Sequence, residues 1–159
     1  DVDNINFDSF NLSYDKSVNP SSNEMLKLSI QKYAAKTNNN NVYLVLNAFN
    51  KNRTIPEIKS RTLPVFINRG YTDLDEITYT IPDNWDFEYL PEDIDIKNSF
   101  GSYRVSVKKE DKKLIYSRKM VLNAGTYSAD KYADFSNFMN KISSNDRIKA
   151  VLKIGLTQH

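Results

Sequence analysis

The stretch EITYTIPDNWDFEYLP, residues 76–91, decides the fold class of this chain. Apolar and polar side chains alternate over residues 76–81 and again over residues 85–90, which is the pattern of strands that bury one face. A proline follows each segment, and proline cannot donate a hydrogen bond into a sheet. The stretch therefore predicts two consecutive strands, the second with Trp85, Phe87 and Tyr89 on one face.

The same alternation predicts strands on both sides of this stretch. They lie at residues 64–68, 99–107, 113–122 and 148–154. Nearer the start of the chain, residues 25–35 and 42–49 are predicted to pair as a hairpin, because the Asn-rich residues 36–41 between them favour a turn. A mainly β chain follows from these patterns.

A single segment, after Gly125, changes period. Its apolar residues recur three and four positions apart, at Tyr132, Phe135, Met139 and Ile142, which predicts an amphipathic helix over about 128–143 with Ser128 as N-cap. The predicted fold is an antiparallel β-sandwich, Ig-like in character, with one C-terminal amphipathic helix followed by a last strand. The predicted organisation is an extended lead-in or edge strand at 1–23, the sandwich domain at 24–155 and a tail at 156–159.

Composition and charge exclude several classes of protein. A chain of 159 residues is the size of one domain, and its 22 Lys and Arg are interleaved with 20 Asp and Glu rather than gathered into the basic patch of a nucleic-acid binder. No apolar run approaches the length of a membrane span. The opening residues 1–4 do not resemble a signal peptide, so we expect the chain to be part of a longer precursor.

Catalytic machinery is not predicted. The chain has no cysteine and one histidine, His159 at its end, where no packed shell can hold it for a relay or a metal. Acidic residues cluster in two predicted turns, which are Asp73, Asp75 and Glu76 in the first and Glu92, Asp93 and Asp95 in the second. Solvated turns explain them better than a glycosidase pair or a calcium loop. We predict no cofactor, no metal and no enzyme; the alternative is a minimal carboxylate hydrolase that uses Asp75 or Asp93.

The aromatic face of residues 85–89 has two interpretations. Trp85, Phe87 and Tyr89 are predicted to face the core, since large aromatic side chains dominate protein interiors. The alternative is an exposed platform that stacks on sugars. An independent carbohydrate- or peptide-binding module is accordingly the second functional hypothesis, with an open sheet edge as another binding surface.

A set of short motifs resembles a known family when taken in order. The motifs are RTLPV at 61–65, IPDNW at 81–85, YLP at 89–91, FGSY at 100–103, IYSR at 115–118, GTY at 125–127 and YADF at 132–135. Over roughly residues 20–155 the chain resembles the C-terminal β-rich region, called DUF3858, of the DUF3857/transglutaminase-like proteins. This chain departs from the whole-family pattern because it lacks the transglutaminase-like (papain-like) core.

The resemblance implies a parent protein exported by a Bacteroidetes-type bacterium, in the periplasm or outside the cell, with its Cys-His-Asp site upstream. It implies that this chain is a non-catalytic accessory module whose partner is that core, with a cell-envelope protein or a glycan as further partners. The motif residues are expected to maintain the fold rather than bind a ligand. They are Arg61, Pro64, Pro82, Pro91, Phe100, Gly101, Tyr103, Tyr116, Arg118, Gly125, Tyr127, Tyr132 and Phe135.

Overall fold

The computed structural model describes residues 4–37 and 39–155, so the predicted tail and His159 lie outside the described residues. Within the described part, the chain is mainly β, with a single α-helix. The elements are β1 (Ile5–Asp15), β2 (Ser21–Ile30), β3 (Ala35–Lys36), β4 (Asn41–Val45), β5 (Val65–Ile67), β6 (Tyr71–Thr80), β7 (Trp85–Tyr89), β8 (Ile94–Asn98), β9 (Gly101–Glu110), β10 (Lys113–Leu122), β11 (Gly125–Tyr127), a 3₁₀ turn (Ala129–Lys131), α1 (Tyr132–Asn145) and β12 (Lys149–Ile154). The chain divides into two compact units, Asp1–Ala35 and Lys36–His159.

The first unit is an antiparallel hairpin of β1 and β2. Phe7 lies opposite Leu28 and Phe10 opposite Leu26, so one face of the ribbon is apolar. The predicted hairpin of residues 25–35 with 42–49 is therefore wrong, because β2 pairs with β1 instead. The unit boundary after Ala35 differs from the predicted one after residue 23 for the same reason: alternation identifies a strand but not its partner.

The second unit contains two four-stranded sheets and a short ribbon. One sheet has the order β6-β10-β9-β8, the other β3-β4-β12-β7, and β5 pairs with β11. The ladders among β4 to β12 are antiparallel. In the first sheet every second residue of β10 is buried, as it is in β4 and β12 of the other sheet. The predicted fold class, an antiparallel β-sandwich type with one helix before the last strand, is confirmed.

The buried apolar side chains form the core of the second unit. They include Val42, Leu44 and Leu46 from β4 and the residue after it, Tyr103 and Val105 from β9, Leu114, Tyr116 and Met120 from β10, Phe138 and Ile142 from α1, and Ala150 and Leu152 from β12. Burying each of the Val, Leu, Ile, Phe and Met side chains among them contributes roughly 1.5–3 kcal/mol, which makes this core the main source of stability.

The helix begins later than predicted. A 3₁₀ turn occupies residues 129–131, Ser128 precedes that turn without a side-chain capping bond, and α1 starts at Tyr132. Ser128 is therefore not the N-cap of the α-helix. The predicted stripe is largely correct, since Tyr132, Met139 and Ile142 are buried. Among the described residues, no helix combines the length and apolar character needed to cross a membrane.

Gly101 provides a test of the close packing between β9 and β10. Its φ of +152° is unfavourable for other residues, and an added Cβ would lie 1.9 Å from the backbone oxygen of Val121. We expect Gly101→Ala to lower the free energy of unfolding by about 3 kcal/mol or more, measured by urea denaturation. Gly125→Ala is the control, because its Cβ would meet only the movable ring of Tyr127, at 3.2 Å. Equal losses in the two variants would contradict this account.

Candidate functional site

Three charged side chains meet in the interior of the second unit. The guanidinium of Arg118 on β10 donates through Nε to Asp146 Oδ1 (2.8 Å) and through Nη1 to Asp75 Oδ2 (2.6 Å). The side chains of Arg118 and Asp146 are fully buried, and that of Asp75 on β6 is 20% exposed. The register explains the second contact, since Asp75 lies directly opposite Arg118 on the neighbouring strand.

Asp146, immediately after α1, also accepts hydrogen bonds from neutral groups. Tyr103 donates its hydroxyl to Oδ1 at 2.9 Å, and Asn47 donates its amide to the same oxygen at 3.3 Å. The backbone N–H and side-chain amide of Asn52 donate to Oδ2, at 2.8 and 2.9 Å. Asn50 donates to both oxygens of Asp75 at 3.2 Å. We call these seven residues, Arg118, Asp75, Asp146, Tyr103, Asn47, Asn50 and Asn52, the polar cluster.

The environment of the polar cluster shifts the pKa of three basic or phenolic groups. Burial alone would lower the pKa of Arg118, but the charge of Asp146 and the hydrogen bonds to both carboxylates raise it above its ordinary value. Burial, reinforced by the charge of Asp146, raises the pKa of Tyr103, and the same two causes raise the pKa of Tyr116 to about 12. At neutral pH the arginine is therefore charged and both tyrosines are protonated.

This arrangement suits a structural role. Both oxygens of the fully buried Asp146 carboxylate already accept hydrogen bonds from protein groups. The sequence prediction placed Asp73, Asp75 and Glu76 in a turn, which is wrong. They lie within the ten-residue strand β6, and the Arg118 pairing of Asp75 accounts for a carboxylate on its inner face.

The second acidic group lies around β8. Asp93 accepts a hydrogen bond from the backbone N–H of Val107 at 3.1 Å, and Asp95 forms an exposed ion pair with Arg104. Glu92 is exposed in the connection before β8. Within residues 4–37 and 39–155, His, Cys, Asp and Glu side chains form no group of three or more that could hold a metal ion.

Several motif residues form an aromatic cluster beside α1. The ring of Phe100 lies 4.5 Å from that of Tyr127 and 5.3 Å from that of Phe135, measured between centroids. Tyr132 donates its hydroxyl to the carbonyl of Pro56 at 2.7 Å, and the guanidinium of Arg61 lies over its ring at 4.6 Å. These contacts connect α1 to β9, β11 and the loop before β5.

The other motif residues lie at turns and strand starts. Pro64 supplies a carbonyl to Arg61 (3.1 Å), and Pro82 supplies one to the backbone N–H of Trp85 (2.9 Å). Pro91 lies between β7 and β8, and Gly125 begins β11. The guanidinium of Arg118 lies over the ring of Tyr103, 5.5 Å from its centroid.

The predicted aromatic platform does not share one face. Trp85 and Phe87 are half-buried and lie opposite Ile154 and Leu152 of β12, whereas Tyr89 is 54% exposed and lies opposite Val151. A register shift between Val151 and Leu152 separates Tyr89 from the other two.

Sequence reasoning missed the acidic and amide members of the polar cluster: Asp146, Asn47, Asn50 and Asn52. One signal was present, because Arg118 occupies the buried phase of β10 between Tyr116 and Met120. A charged residue in the apolar phase of a strand indicates a buried partner. The local pattern cannot identify that partner, because Asp146 is 28 residues from Arg118 in the sequence.

Comparison with known proteins identifies one family. The family model of DUF3858, described as a "Domain of Unknown Function with solved-structure structure", matches residues 40–152. No curated protein and no solved structure matches the chain. The resemblance to DUF3858 found in the motifs is thus confirmed.

The first prediction for this site concerns Asp146. We expect Asp146→Asn to lower the free energy of unfolding by about 3–5 kcal/mol, because it leaves the buried Arg118 cation without its fully buried counter-charge. The fluorescence of the single tryptophan, half-buried Trp85, reports the transition in urea. Asp95→Asn, which removes an exposed ion pair, is the control and should cost about 0–1 kcal/mol. A loss no larger than that of the control would contradict the role given to Asp146.

The second prediction separates two buried tyrosines. Tyr103→Phe should lower the free energy of unfolding by about 1.5–3 kcal/mol, because it removes a hydrogen bond to a carboxylate. Tyr116→Phe should be neutral or stabilising, since the Tyr116 hydroxyl is buried without a hydrogen-bond partner among the described residues. Both are measured by urea denaturation at pH 8, and equal losses would contradict the structure.

The same tyrosines predict alkaline instability. A tyrosine whose pKa is raised on folding binds its proton more tightly in the folded state, so stability is full below pH 10 and falls as pH rises towards 12. For Tyr116 the expected slope is at most about 1.4 kcal/mol per pH unit. Urea denaturation at pH 8 and pH 11 should show a smaller loss for Tyr116→Phe than for the wild type. Identical losses would show that Tyr116 does not titrate in this way.

Proposed function

Because the chain belongs to the DUF3858 family, whose description names no function, we propose that it is a non-catalytic accessory β-sandwich module at the C-terminus of an exported transglutaminase-like protein. The module packs on that protein's catalytic core, or on a partner, and positions it. The motif resemblance supplies the context of this proposal. The structure supports it in two ways, one in the interior and one at the surface.

The support from the interior is that the buried charged side chains bind one another. Arg118 and Asp146 are fully buried and engage each other, and Asp75 is held by Arg118 and Asn50. A general acid or base must reach the proton that it transfers. The fully buried ion pair of Arg118 and Asp146 thus joins β10 to the end of α1, as expected of a module with a supporting role.

The observation that carries the proposal is an exposed apolar surface at β5, on a backbone segment that is held by hydrogen bonds. Leu63 is 71% exposed and Phe66 is 67% exposed, while the neighbouring Val65 and Ile67 are buried. Arg61 donates to the carbonyl of Leu63 at 2.8 Å while its guanidinium lies over the Tyr132 ring. β11 pairs with β5 in an antiparallel ladder, with Thr126 opposite Phe66. We call Leu63 and Phe66 the β5 surface.

An apolar surface of this kind is suited to binding another protein. A backbone segment that is already held by hydrogen bonds loses little conformational freedom on association. More of the free energy of apolar burial therefore remains as affinity. Single exposed apolar residues are ordinary, but Leu63, whose carbonyl accepts from Arg61, and Phe66, which is paired with Thr126 of β11, are two large apolar side chains three positions apart and form a defined contact. The catalytic core of the parent protein is the occupant that the motif resemblance indicates.

Hydrogen exchange in the full-length parent protein tests the proposal. We expect the double substitution Leu63→Ser, Phe66→Ser to increase exchange in peptides of the catalytic core, because the core loses an apolar contact. In the isolated chain the same change should alter the free energy of unfolding by only about 0.5 kcal/mol per site, as surface substitutions do.

Leu74→Ser is the matched control, since Leu74 is 72% exposed on β6 and is not part of the β5 surface. It should leave exchange in the core unchanged. The proposal fails if the double variant behaves like this control, or if the parent reading frame encodes no transglutaminase-like core.

A further inference from the structure

A row of side chains crosses the outer face of the sheet β3-β4-β12-β7. Tyr43 of β4 and Tyr89 of β7 both lie opposite Val151 of the central strand β12, one on each side. Residues directly opposite in an antiparallel sheet project from the same face. Val151 lies between buried Ala150 and Leu152, so that face is the outer one. We call Tyr43, Val151 and Tyr89 the tyrosine row.

A bulge in β7 places Tyr89 in this row. The register passes from Leu152–Phe87 to Val151–Tyr89, so that Glu88 is an extra residue on β7. Such a bulge changes the face to which the following side chain points. Phe87 remains on the side of buried Leu152, while Tyr89 is 54% exposed and Tyr43 is 38% exposed.

The residues around the row carry both signs of charge. Lys153 lies on the outer side of β12 and pairs with Glu88 at 3.7 Å, with both side chains at least half exposed. Asp86 lies opposite Lys153 and is paired with Lys112, and exposed Lys149 flanks the row on its other side. Three lysines and two carboxylates surround the row, and two of the lysines are paired with the carboxylates, so the surface carries many hydrogen-bonding groups but only a small net charge.

The dimensions of the row suit an extended chain of rings. Tyr43 and Tyr89 are separated by two inter-strand spacings, which is about 9.5 Å. A pyranose ring has an apolar C–H face that packs on an aromatic ring and an edge of hydroxyl groups that bind charged or amide side chains. Two tyrosines with lysine and glutamate beside them offer both kinds of contact, and each tyrosine adds a hydroxyl.

A protein partner fits this surface less well. The centre of a protein interface is depleted of Lys and Glu, yet Lys153 and Glu88 lie directly beside the row. An anionic polymer is also disfavoured, because Glu88 and Asp86 lie near the row and pair with two of the three lysines. We propose that the tyrosine row binds an uncharged, extended polysaccharide, with Tyr43 and Tyr89 each stacking on a sugar ring. This inference is independent of the function proposed for the β5 surface.

Retention of the full chain on insoluble polysaccharides tests the proposal. The probes are cellulose, chitin, xylan and mannan, and we expect retention on at least one. Tyr43→Ala and Tyr89→Ala should each weaken it about tenfold, the order of one lost ring-stacking contact, and the double variant should abolish it. Tyr43→Phe and Tyr89→Phe keep the rings and should retain most of the binding.

Tyr71→Ala is the matched control, because Tyr71 is a 42% exposed tyrosine on β6, in the other four-stranded sheet. It should bind like the wild type, and urea denaturation should show that all variants are folded. The proposal is overturned if none of the four polysaccharides retains the wild type. It is also overturned if the variant that lacks both Tyr43 and Tyr89 is retained normally, or if Tyr71→Ala loses retention equally.

Discussion

The second unit depends on the carboxylate of Asp146. A fully buried charge is costly unless it is paired and hydrogen-bonded, and this one lies at the C-terminal end of α1, where the helix dipole is also unfavourable. Five hydrogen bonds from described residues offset that cost. Their donors lie on β9, on β10 and in the segment after β4. The stability of the carboxylate therefore requires the sheet β6-β10-β9-β8, the segment after β4 and the end of the helix to be in place together.

Other polar contacts join the same elements. Tyr79 of β6 donates its hydroxyl towards the carbonyls of Val45 and Leu46, at 3.2 and 2.7 Å. Asn140 of α1 exchanges hydrogen bonds with the backbone of Ile55. Polar groups that find partners only in the native arrangement favour one packing of the sheets over others of similar apolar burial. The apolar core supplies most of the stability, and these contacts specify the arrangement.

The sequence was most informative where one local pattern is sufficient. Alternation located β10 at residues 113–122 and β7 at 85–89, and helical spacing located α1. It was least informative about which strands pair with each other and which side chains form contacts. The pairing of β2 with β1, and of Arg118 with Asp146, joins residues that the pattern treats independently. Buried polar contacts of this kind are selected by tertiary geometry, so a single sequence shows only that a charged residue occupies an apolar phase.

Two β-bulges show when a change of face can be read from a sequence. In β1 the apolar residues move from odd positions, at Ile5 and Phe7, to even positions from Phe10 onwards, and the register shifts between Phe7 and Ser9. The jump in phase marks the bulge. In β7 the aromatic residues keep an unbroken period of two, yet the register shifts there as well. Because an aromatic side chain is acceptable on either face, the sequence predicts one platform where the structure has two surfaces. Trp85 and Phe87 therefore stabilise the fold, and Tyr89 is available at the surface.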